Sequence, residues 1–267
     1  MSLGYADRLS HRRDVGGQLG APEYEEPYEE LERKVSMLAQ LFQAAKKVVV
    51  FTGAGISTAC GIPDFRGPSG IWTLRKQGKD PPRGMMSFPL ATPSFTHAAL
   101  TSLVKAGKVS YVVSQNVDGL HLRSGMPRAS LAELHGNCFV ECCNKCCAEY
   151  MRDWEIQSVG FKPTGRSCAK EGCNGMLHDF VLDWEDALPE KDLLLAELHS
   201  READLAICLG TSLQITPACN IPLKTIRKTN LKPTGETFVH GISLSLQRRS
   251  HHDIYLKRNM LSCFLLL

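Results

Sequence analysis

Three short apolar runs constrain the fold of this 267-residue chain more than any other feature. They lie within residues 46–52, 109–114 and 205–209, and the first has its continuous apolar core at 48–51. Such runs are typical of strands that are buried on both faces. Each run follows a segment with helical periodicity, and these segments are residues 28–45, 94–106 and 191–202. Helices that alternate with fully buried strands predict an α/β fold with a doubly wound parallel sheet.

The alternation stops at residues 137–180, a cysteine-rich stretch that we interpret as an inserted small domain. Cys143 and Cys146 form a C-x-x-C pair, and Cys168 and Cys173 form a second pair separated by four residues. Two such pairs can supply four thiolates to one tetrahedral zinc ion, with no position left for water. The spacing therefore predicts a zinc ribbon with a closed, structural site.

The exact ligand set stays open on spacing alone. Cys142 and Cys147 flank the first pair, so Cys142 with Cys146, or Cys143 with Cys147, is also conceivable. The chain has 11 cysteines, and in a reducing compartment cysteines serve metal or redox chemistry before disulfides. The cysteines without a partner at metal spacing are interpreted as small apolar side chains, and these are Cys60, Cys138, Cys208, Cys219 and Cys263.

Composition and charge exclude several classes of protein. Hydrophobic residues make up 43% and charged residues 22%, which are values of a globular and not a disordered chain. No run reaches the roughly eighteen apolar residues of a membrane helix, so we expect neither a membrane span nor a secretion signal. The net charge is +3 and the basic residues are scattered, which gives little support for nucleic acid binding.

A glycine-rich loop follows the first strand at residues 53–58. Glycines at a strand end let the backbone approach a pyrophosphate, and the next helix then offers its free N–H groups. Thr58 replaces the third glycine of the G-x-G-x-x-G fingerprint, and a lone G-x-G is often only a turn. The chain continues with Asp64, Phe65 and Arg66, and the ring and guanidinium can cover a sugar and pair with a phosphate. A nucleotide site is predicted, with a simple turn as the alternative.

Polar residues also end the second and third strands. Gln115, Asn116 and Asp118 follow the second strand, and Gly-Thr-Ser at 210–212 follows the third. Ligands of an open α/β sheet bind beyond the carboxyl ends of its strands, so these loops should share one crevice with the glycine-rich loop. His135 comes just before the cysteine-rich insert, and although a lone histidine is usually structural, its place near these loops makes it the candidate base.

These segments, taken in order, resemble the sirtuins, a family of NAD-dependent protein deacylases. The matching motifs are TGAGIS (52–57), GIPDFR (61–66), SQNVDGLH (114–121), ELHG (133–136), the two cysteine pairs and GTSLQ (210–214). The match covers residues 29–223, and segments 70–73, 121–125 and 182–186 resemble the sirtuin-6-like, class IV branch, especially its plant members. The resemblance implies a Rossmann-type domain, an inserted zinc ribbon, and a cleft between them for NAD and acyl-lysine.

The resemblance also implies roles for individual positions. It implies adenosine and phosphate contacts at Ala54, Gly55, Thr58, Gly210 and Ser212. It implies a flexible covering segment with Phe65, Arg66 and Trp72, and a nicotinamide-ribose pocket with Gln115, Asn116 and Asp118. Asp64 is counted among the cofactor contacts, although Asp64 and Asn116 also fit turn or cap positions and Trp72 also fits a core aromatic.

The implied reaction converts acyl-lysine and NAD to lysine, nicotinamide and O-acyl-ADP-ribose. In the family's mechanism the acyl oxygen attacks the ribose carbon that carries nicotinamide. Asn116 and Asp118 hold the carboxamide and the ribose hydroxyls, and His135 is the general base on a ribose hydroxyl. The peptide is bound as an added strand, along an edge lined by Asp183 and Trp184. The implied cofactors are NAD as co-substrate and one structural Zn²⁺, and the implied partners are acylated histones and other nuclear proteins on chromatin, in the nucleus.

The expected domain order is an N-terminal extension (1–27), the first part of the Rossmann-type domain (28–136), the zinc ribbon (137–180), the second part of the Rossmann-type domain (181–224) and a C-terminal tail (225–267). In the family, this region is expected to form a further strand with an Asn-bearing loop, and then a final strand and a helix. The tail of this chain has one alternating stretch, 238–246, which does not match that pattern. We therefore expect an atypical, truncated C-terminus that lacks a central-sheet strand and half of the adenosine pocket.

Two other functions stay open. Some sirtuins transfer ADP-ribose to proteins, so the chain could be a protein mono-ADP-ribosyltransferase. The atypical tail also allows a catalytically impaired form that acts as a chromatin-binding or zinc-ribbon interaction module. Labelled NAD separates these functions, because deacylation leaves no label on protein.

Overall fold

The chain forms one parallel and one antiparallel β-sheet with helices around the parallel one. The computed structural model describes residues 2–12, 14–24, 27–81, 84–228 and 241–243. The strands in this part of the chain are β1 (Val48–Thr52), β2 (Tyr111–Ser114), β3 (Leu131–Glu133), β4 (Gly136–Cys143), β5 (Glu149–Met151), β6 (Pro163–Ser167), β7 (Met176–Val181), β8 (Leu205–Leu209) and β9 (Gly241–Ser243). The α-helices are α1 (Ser2–Arg8), α2 (Tyr28–Ala44), α3 (Ile71–Lys76), α4 (Phe95–Lys105), α5 (Leu120–Arg123) and α6 (Glu190–Glu202).

The larger sheet has five strands in the order β3-β2-β1-β8-β9. All its neighbours pair in parallel, with β1 between β2 and β8. The three strands predicted from the apolar runs are therefore adjacent at the centre of the sheet. Helices cover both faces, which confirms the predicted doubly wound α/β class.

Strand β1 shows why the apolar runs become central strands. Val48 and Val50 belong to one hydrophobic cluster with α2 and α4, and Val49 and Phe51 belong to another with α6. Successive strand residues point to opposite faces, so a strand covered on both sides must be apolar at every position. All five residues of β1 are buried, and each large apolar side chain contributes about 1.5–3 kcal/mol of transfer free energy.

Two strands of this sheet were not predicted. β3 is only three residues long and extends the sheet beyond β2. β9 lies within residues 238–246 and pairs with β8 through Ala206–Gly241, Ile207–Ile242 and Cys208–Ser243. The expectation that the tail supplies no strand to the central sheet is thus wrong. Backbone pairing at a sheet edge depends on main-chain groups, so a short segment can fill it without matching the family's side-chain pattern. The rest of residues 229–267 lies outside the described residues.

The predicted helices agree with the structure to within a residue at each end. Residues 28–45 correspond to α2, 94–106 to α4 and 191–202 to α6. Ser94 caps α4 in a capping box with His97, which fixes the start of that helix. None of the helices in the described ranges has the length and apolar character to cross a membrane.

The smaller sheet is antiparallel, with the order β5-β4-β7-β6. Strand β4 begins at Gly136, directly after His135, and β7 ends at Val181, shortly before Asp183. Both connections therefore lie at the carboxyl edge of the parallel sheet. The predicted division of the chain into domains at residues 136 and 180 stays a prediction.

Candidate functional site at the carboxyl edge of the parallel sheet

The glycine-rich loop after β1 forms two single 3-10 turns, Ala54–Ile56 and Thr58–Cys60. The expected α-helix with its free N–H groups is absent at this point of the described chain. Gly61 has a left-handed backbone with φ of 79° and ends the second turn. Within the loop, the Thr58 hydroxyl donates to the Gly55 carbonyl at 3.0 Å, which stabilises the first turn.

The same loop packs directly against the loop after β8. Gly55 N–H donates to the Gly210 carbonyl at 2.8 Å, and Gly53 N–H donates to the Leu209 carbonyl at 3.1 Å. A Cβ atom on Gly55 would lie 2.7 Å from Gly210 Cα, so only glycine allows the two backbones to approach this closely. Gly210 itself has φ of 60°. These contacts bring Ala54, Gly55, Gly210 and the half-buried Ser212 to one edge, as predicted.

Three buried polar side chains are joined by hydrogen bonds at this loop, one from the loop itself and two from the segment after β2. The Ser57 hydroxyl donates to Asp118 Oδ2 at 2.7 Å, and Asn116 Nδ2 donates to the Gly53 carbonyl at 3.1 Å. Asp118 Oδ1 accepts the Leu120 N–H at 2.9 Å. Asn116 and Asp118 are thus held rigidly next to the glycine-rich loop. Ser57 lies within the TGAGIS motif and is fully buried, but it was not among the predicted site residues.

Gln115 connects the three strand ends. Its Nε2 donates to the Thr211 hydroxyl of the loop after β8 at 2.9 Å, and its carbonyl accepts a hydrogen bond from His135 Nδ1 at 3.0 Å. Leu134 N–H donates to the Ser114 carbonyl at 2.9 Å, which extends the β2–β3 pairing and brings His135 beside Gln115. Thr211 belongs to the predicted Gly-Thr-Ser loop, but its bond to Gln115 was not predicted.

The hydrogen bond to Gln115 fixes the tautomer of His135. A carbonyl oxygen only accepts, so Nδ1 must carry the proton and Nε2 holds the lone pair. Burial lowers the pKa of His135 to about 4; the Gln115 carbonyl opposes this shift and the positive charge of Arg66 adds to it. His135 is therefore a neutral imidazole near neutral pH, with Nε2 able to accept a proton.

The segment from Asp64 to Trp72 forms an aromatic and cationic layer beside these loops. The Phe65 and Trp72 rings lie 4.7 Å apart, and the Arg66 guanidinium lies 4.5 Å from the Trp72 ring centroid. Trp72 also contacts the Trp184 ring at 5.0 Å. Asp64 Oδ2 accepts the N–H of the residue three positions on, at 3.0 Å, and burial raises the pKa of Asp64. Trp72 is half-buried and joins the two parts of the candidate site.

Asp183 and Trp184 lie where β7 returns to the parallel sheet. Leu182 N–H donates to the His135 carbonyl at 3.2 Å, so Asp183 is next in sequence to a residue that pairs with the candidate base. Asp183 Oδ1 accepts the Ser10 N–H at 3.0 Å and the Trp184 N–H at 2.8 Å. The Arg12 guanidinium lies 5.4 Å from the Trp184 ring. The N-terminal segment therefore contacts the predicted peptide edge, which the sequence did not suggest.

The cysteine pairs form a separate metal centre in the smaller sheet. The Sγ atoms of Cys143, Cys146, Cys168 and Cys173 all lie within 4.8 Å of one another. The Cys143–Cys173 and Cys146–Cys168 sulfur pairs are 3.6 Å apart. A tetrahedron with Zn–S bonds of about 2.3 Å has edges of roughly 3.7 Å, so the four thiolates fit one structural zinc ion.

The alternative ligands do not join this cluster. Cys142 is buried beside Val140 and Phe180 and does not belong to the four-sulfur cluster. Cys147 is exposed. By contrast, the sulfur atoms of Cys143 and Cys146 both lie in the four-sulfur cluster. The open ligand choice is thereby decided for Cys143 and Cys146.

Comparison with known proteins agrees with this geometry. The chain matches the model of the Sir2 family over residues 81–217. It is 58% identical over 227 residues to the NAD-dependent protein deacetylase SRT1 of Arabidopsis thaliana, covering 85% of this chain and 48% of that protein. It is 44% identical over 271 residues to the NAD-dependent protein deacetylase Sirt6 of Drosophila melanogaster, covering 97% of this chain and 84% of that protein.

A solved structure of a Sir2 protein with a p53 peptide and NAD+ has the same fold. It superposes with a TM-score of 0.57 at 26% identity, covering 87% of this chain and 95% of that one. The chain spans about half the length of the two plant relatives it matches, at 48% and 47%. A Rossmann-like parallel sheet, a four-cysteine zinc site and the match to family and relatives together show that this chain belongs to the Sir2 family, the sirtuins.

Proposed function

We propose that the chain is an NAD-dependent protein-lysine deacylase of the sirtuin-6-like branch. The observation that carries this proposal is His135, a neutral imidazole whose Nδ1 is bound to the Gln115 carbonyl. Its Nε2 is thereby the proton acceptor beside a crevice built from the ends of three parallel strands. The relatives named deacetylases, and the related structure with peptide and NAD+, support the same activity.

The crevice has the chemical groups that NAD requires. The adenosine and pyrophosphate end would lie against Ala54, Gly55, Thr58, Gly210 and Ser212. Asn116 and Asp118 supply an amide and a carboxylate for the carboxamide and ribose hydroxyls, and their bonds to the glycine-rich loop keep them fixed. Side chains that need no rearrangement on binding orient a leaving group at little entropic cost.

The aromatic and cationic layer would cover the bound cofactor. Phe65 and Trp72 provide apolar rings that exclude water from a reacting ribose, and Arg66 provides a charge for a phosphate. The burial of Asp64 and its bond within the turn give that residue a role in shaping the layer. Trp72 therefore serves the pocket and the packing together, and the two interpretations of this residue are compatible.

His135 would act as the general base. NAD, when bound, supplies the ribose carbon to which the acyl oxygen is transferred and nicotinamide as leaving group. Nε2 of His135 would then take the proton from a ribose hydroxyl. The Gln115 carbonyl stabilises the cationic imidazolium that forms, because Nδ1–H already points at it.

The substrate would be an acylated lysine in an extended peptide. Asp183 and Trp184 lie just after the end of β7 and would line the edge to which the peptide adds as a strand. We propose histones and other nuclear proteins on chromatin as the substrates and the nucleus as the site of action. This part of the proposal rests on the resemblance of segments 70–73, 121–125 and 182–186 to the sirtuin-6-like branch.

Product analysis with labelled NAD tests the proposed function. Purified chain is incubated with acetyl-lysine histone-tail peptide and NAD labelled in the adenylate phosphate. The proposal predicts free lysine, nicotinamide and labelled O-acetyl-ADP-ribose in equal amounts, with no label on protein. Label on protein without deacetylation would support the ADP-ribosyltransferase, and release of no nicotinamide would support a binding module.

A further inference from the structure

Residues 14–20, which we name the N-terminal strap, lie against the cofactor-covering layer. Arg66 Nη2 donates to the Val15 carbonyl at 2.7 Å, and Arg66 Nε donates to the Gly16 carbonyl at 2.9 Å. In return, Gly20 N–H donates to the Arg66 carbonyl at 2.9 Å. Both the guanidinium and the main chain of Arg66 are therefore bound to the strap.

The strap also contacts the opposite side of the crevice, at the loop after β8. Gln18 N–H donates to the Gln214 side-chain carbonyl. A Cβ atom on Gly17 would lie 2.8 Å from Gln214 Cβ, and one on Gly16 would lie 3.1 Å from Ile215 Cδ1. The strap thus bridges the covering layer and the loop that carries Gly210 and Ser212.

The strap's own conformation depends on its two consecutive glycines. Gly16 and Gly17 have φ values of 70° and 79°, in the left-handed region that other residues rarely adopt. Asp14 accepts the Gly16 N–H at 2.9 Å and closes this turn. The turn points the Val15 and Gly16 carbonyls at the guanidinium of Arg66.

Arg66 needs such partners because it is largely withdrawn from water. Burial lowers the pKa of Arg66 to about 10, and the negative charges of Asp64 and Asp14 oppose that shift. A buried guanidinium without acceptors would be strongly unfavourable, so the two strap carbonyls decide where it lies. With both bonds made, the cation stays over the Trp72 ring.

We propose that the N-terminal strap is a positioning element for the cofactor-covering layer. It holds Arg66 over Trp72 before NAD arrives, so binding does not have to order this segment. The inference rests on the proposed function, because it concerns the layer that would cover NAD. Gly16 and Gly17 are positioning residues in it, since they act through Arg66 and contact no reacting atom. Pre-ordering of this kind raises affinity for NAD without changing the chemical step.

The test substitutes Gly17→Ala and uses Gly107→Ala as the matched control. Gly107 has φ of 69°, but an added Cβ there meets nothing within 4 Å, so both variants carry backbone strain and only Gly17→Ala overlaps a neighbour. The readout is hydrogen exchange of the Ile71 and Trp72 amides in the absence of NAD. These amides are bonded to the Asp64 and Phe65 carbonyls at 2.9 and 3.0 Å. We expect about tenfold faster exchange in Gly17→Ala and no change in Gly107→Ala.

A second measurement connects the strap to the cofactor. The KM for NAD should rise about tenfold in Gly17→Ala, equivalent to roughly 1.4 kcal/mol, with kcat within about twofold of the wild type. Gln214→Ala removes the acceptor for Gln18 without strain and should shift both readouts in the same direction. Unchanged exchange at Ile71 and Trp72 in both variants would overturn the positioning role. A wild-type chain that binds no NAD would instead refute the proposed function, and the exchange experiment would still decide the strap.

Discussion

At the scale of single residues, the protonation state of His135 is set by its neighbours. The Gln115 carbonyl fixes the proton on Nδ1, and burial keeps the ring neutral. An isolated histidine would titrate near pH 6.5 and be partly cationic in the cell. The sequence identified His135 as a candidate base, but the bond that makes Nε2 the proton acceptor depends on strand pairing that a linear motif does not encode.

The pKa of His135 is directly measurable. In the protein without NAD, the His135 ring resonances should titrate with a pKa of about 4 and show no transition near 6.5. A His135 transition at or above 6.5 would mean that burial does not control this ring and would contradict the assignment of a neutral base.

At the scale of elements, the candidate site and the metal centre each depend on a contact between two loops. The loops after β1 and β8 meet through Gly55 and Gly210, where a larger residue would collide. The two cysteine pairs meet through four sulfur atoms at tetrahedral spacing. In both cases the pairing fixes the loops, so the function depends on the contact between elements and not on either element alone.

The zinc assignment is tested by comparing Cys143→Ser with Cys147→Ser. Cys143→Ser should lose the metal, from about one zinc per chain to nearly none, and lower Tm by roughly 10 °C, because zinc binding and folding are coupled. Cys147 lies outside the four-sulfur cluster, so Cys147→Ser should keep its zinc and its Tm. Elemental analysis and thermal unfolding give both values. Loss of zinc in Cys147→Ser with retention in Cys143→Ser would support the alternative pairing.

The elements that could be predicted from sequence are those with a strong periodic signal. Strands β1, β2 and β8 have continuous apolar runs because helices cover them on both sides. Strand β3 is too short to show a period, and β9 is defined by backbone pairing with β8. The contacts of Ser57 with Asp118 and of Thr211 with Gln115 were not predicted, because each pair is distant in sequence.

At the scale of the whole molecule, segments near both ends of the chain pack against the parallel sheet or its loops. The N-terminal strap contacts Arg66 and Gln214, and β9 pairs with β8. Neither was predicted, because residues 14–20 have no apolar periodicity and the tail lacks the family's pattern. The family resemblance predicted the loops at the ends of β1, β2 and β8, whereas the contacts of the N-terminal strap and of β9 follow only from the structure.

The molecule also contains buried ionisable groups that make its stability depend on pH. Burial lowers the pKa of His121 to about 3, of His135 to about 4, and also lowers that of His97. These histidines contribute fully to the stability of the fold above about pH 6.5, where they are neutral in the folded and unfolded states. The contribution is lost as the pH falls towards their pKa in the folded state. Burial raises the pKa of Glu133 to about 8. Glu133 therefore contributes fully to the stability of the fold below about pH 4.5, and this contribution is lost as the pH rises towards 8.

These shifts predict acid-labile stability. From pH 6.5 to pH 5, His121 and His135 each lose about 1.4 kcal/mol per pH unit, and Glu133 gains about the same amount. These three groups together should lower the unfolding free energy by roughly 1–2 kcal/mol, and His97 acts in the same direction. Zinc thiolates protonate in the same direction, so Glu133→Gln is the informative comparison. Without the opposing carboxyl, the fall should be steeper. Urea unfolding at both pH values measures this, and a flat or shallower profile in Glu133→Gln would contradict the account.

The central claim is that His135 is the base of an NAD-dependent deacylase, and the rate of lysine deacetylation by His135→Asn tests it most directly. Wild type and the control His11→Asn should release nicotinamide and O-acetyl-ADP-ribose from acetyl-lysine peptide and NAD at equal rates. His135→Asn should deacetylate about 10²- to 10⁴-fold more slowly while keeping its zinc and its unfolding temperature. Deacetylation by folded, zinc-containing His135→Asn at the wild-type rate would contradict the claim.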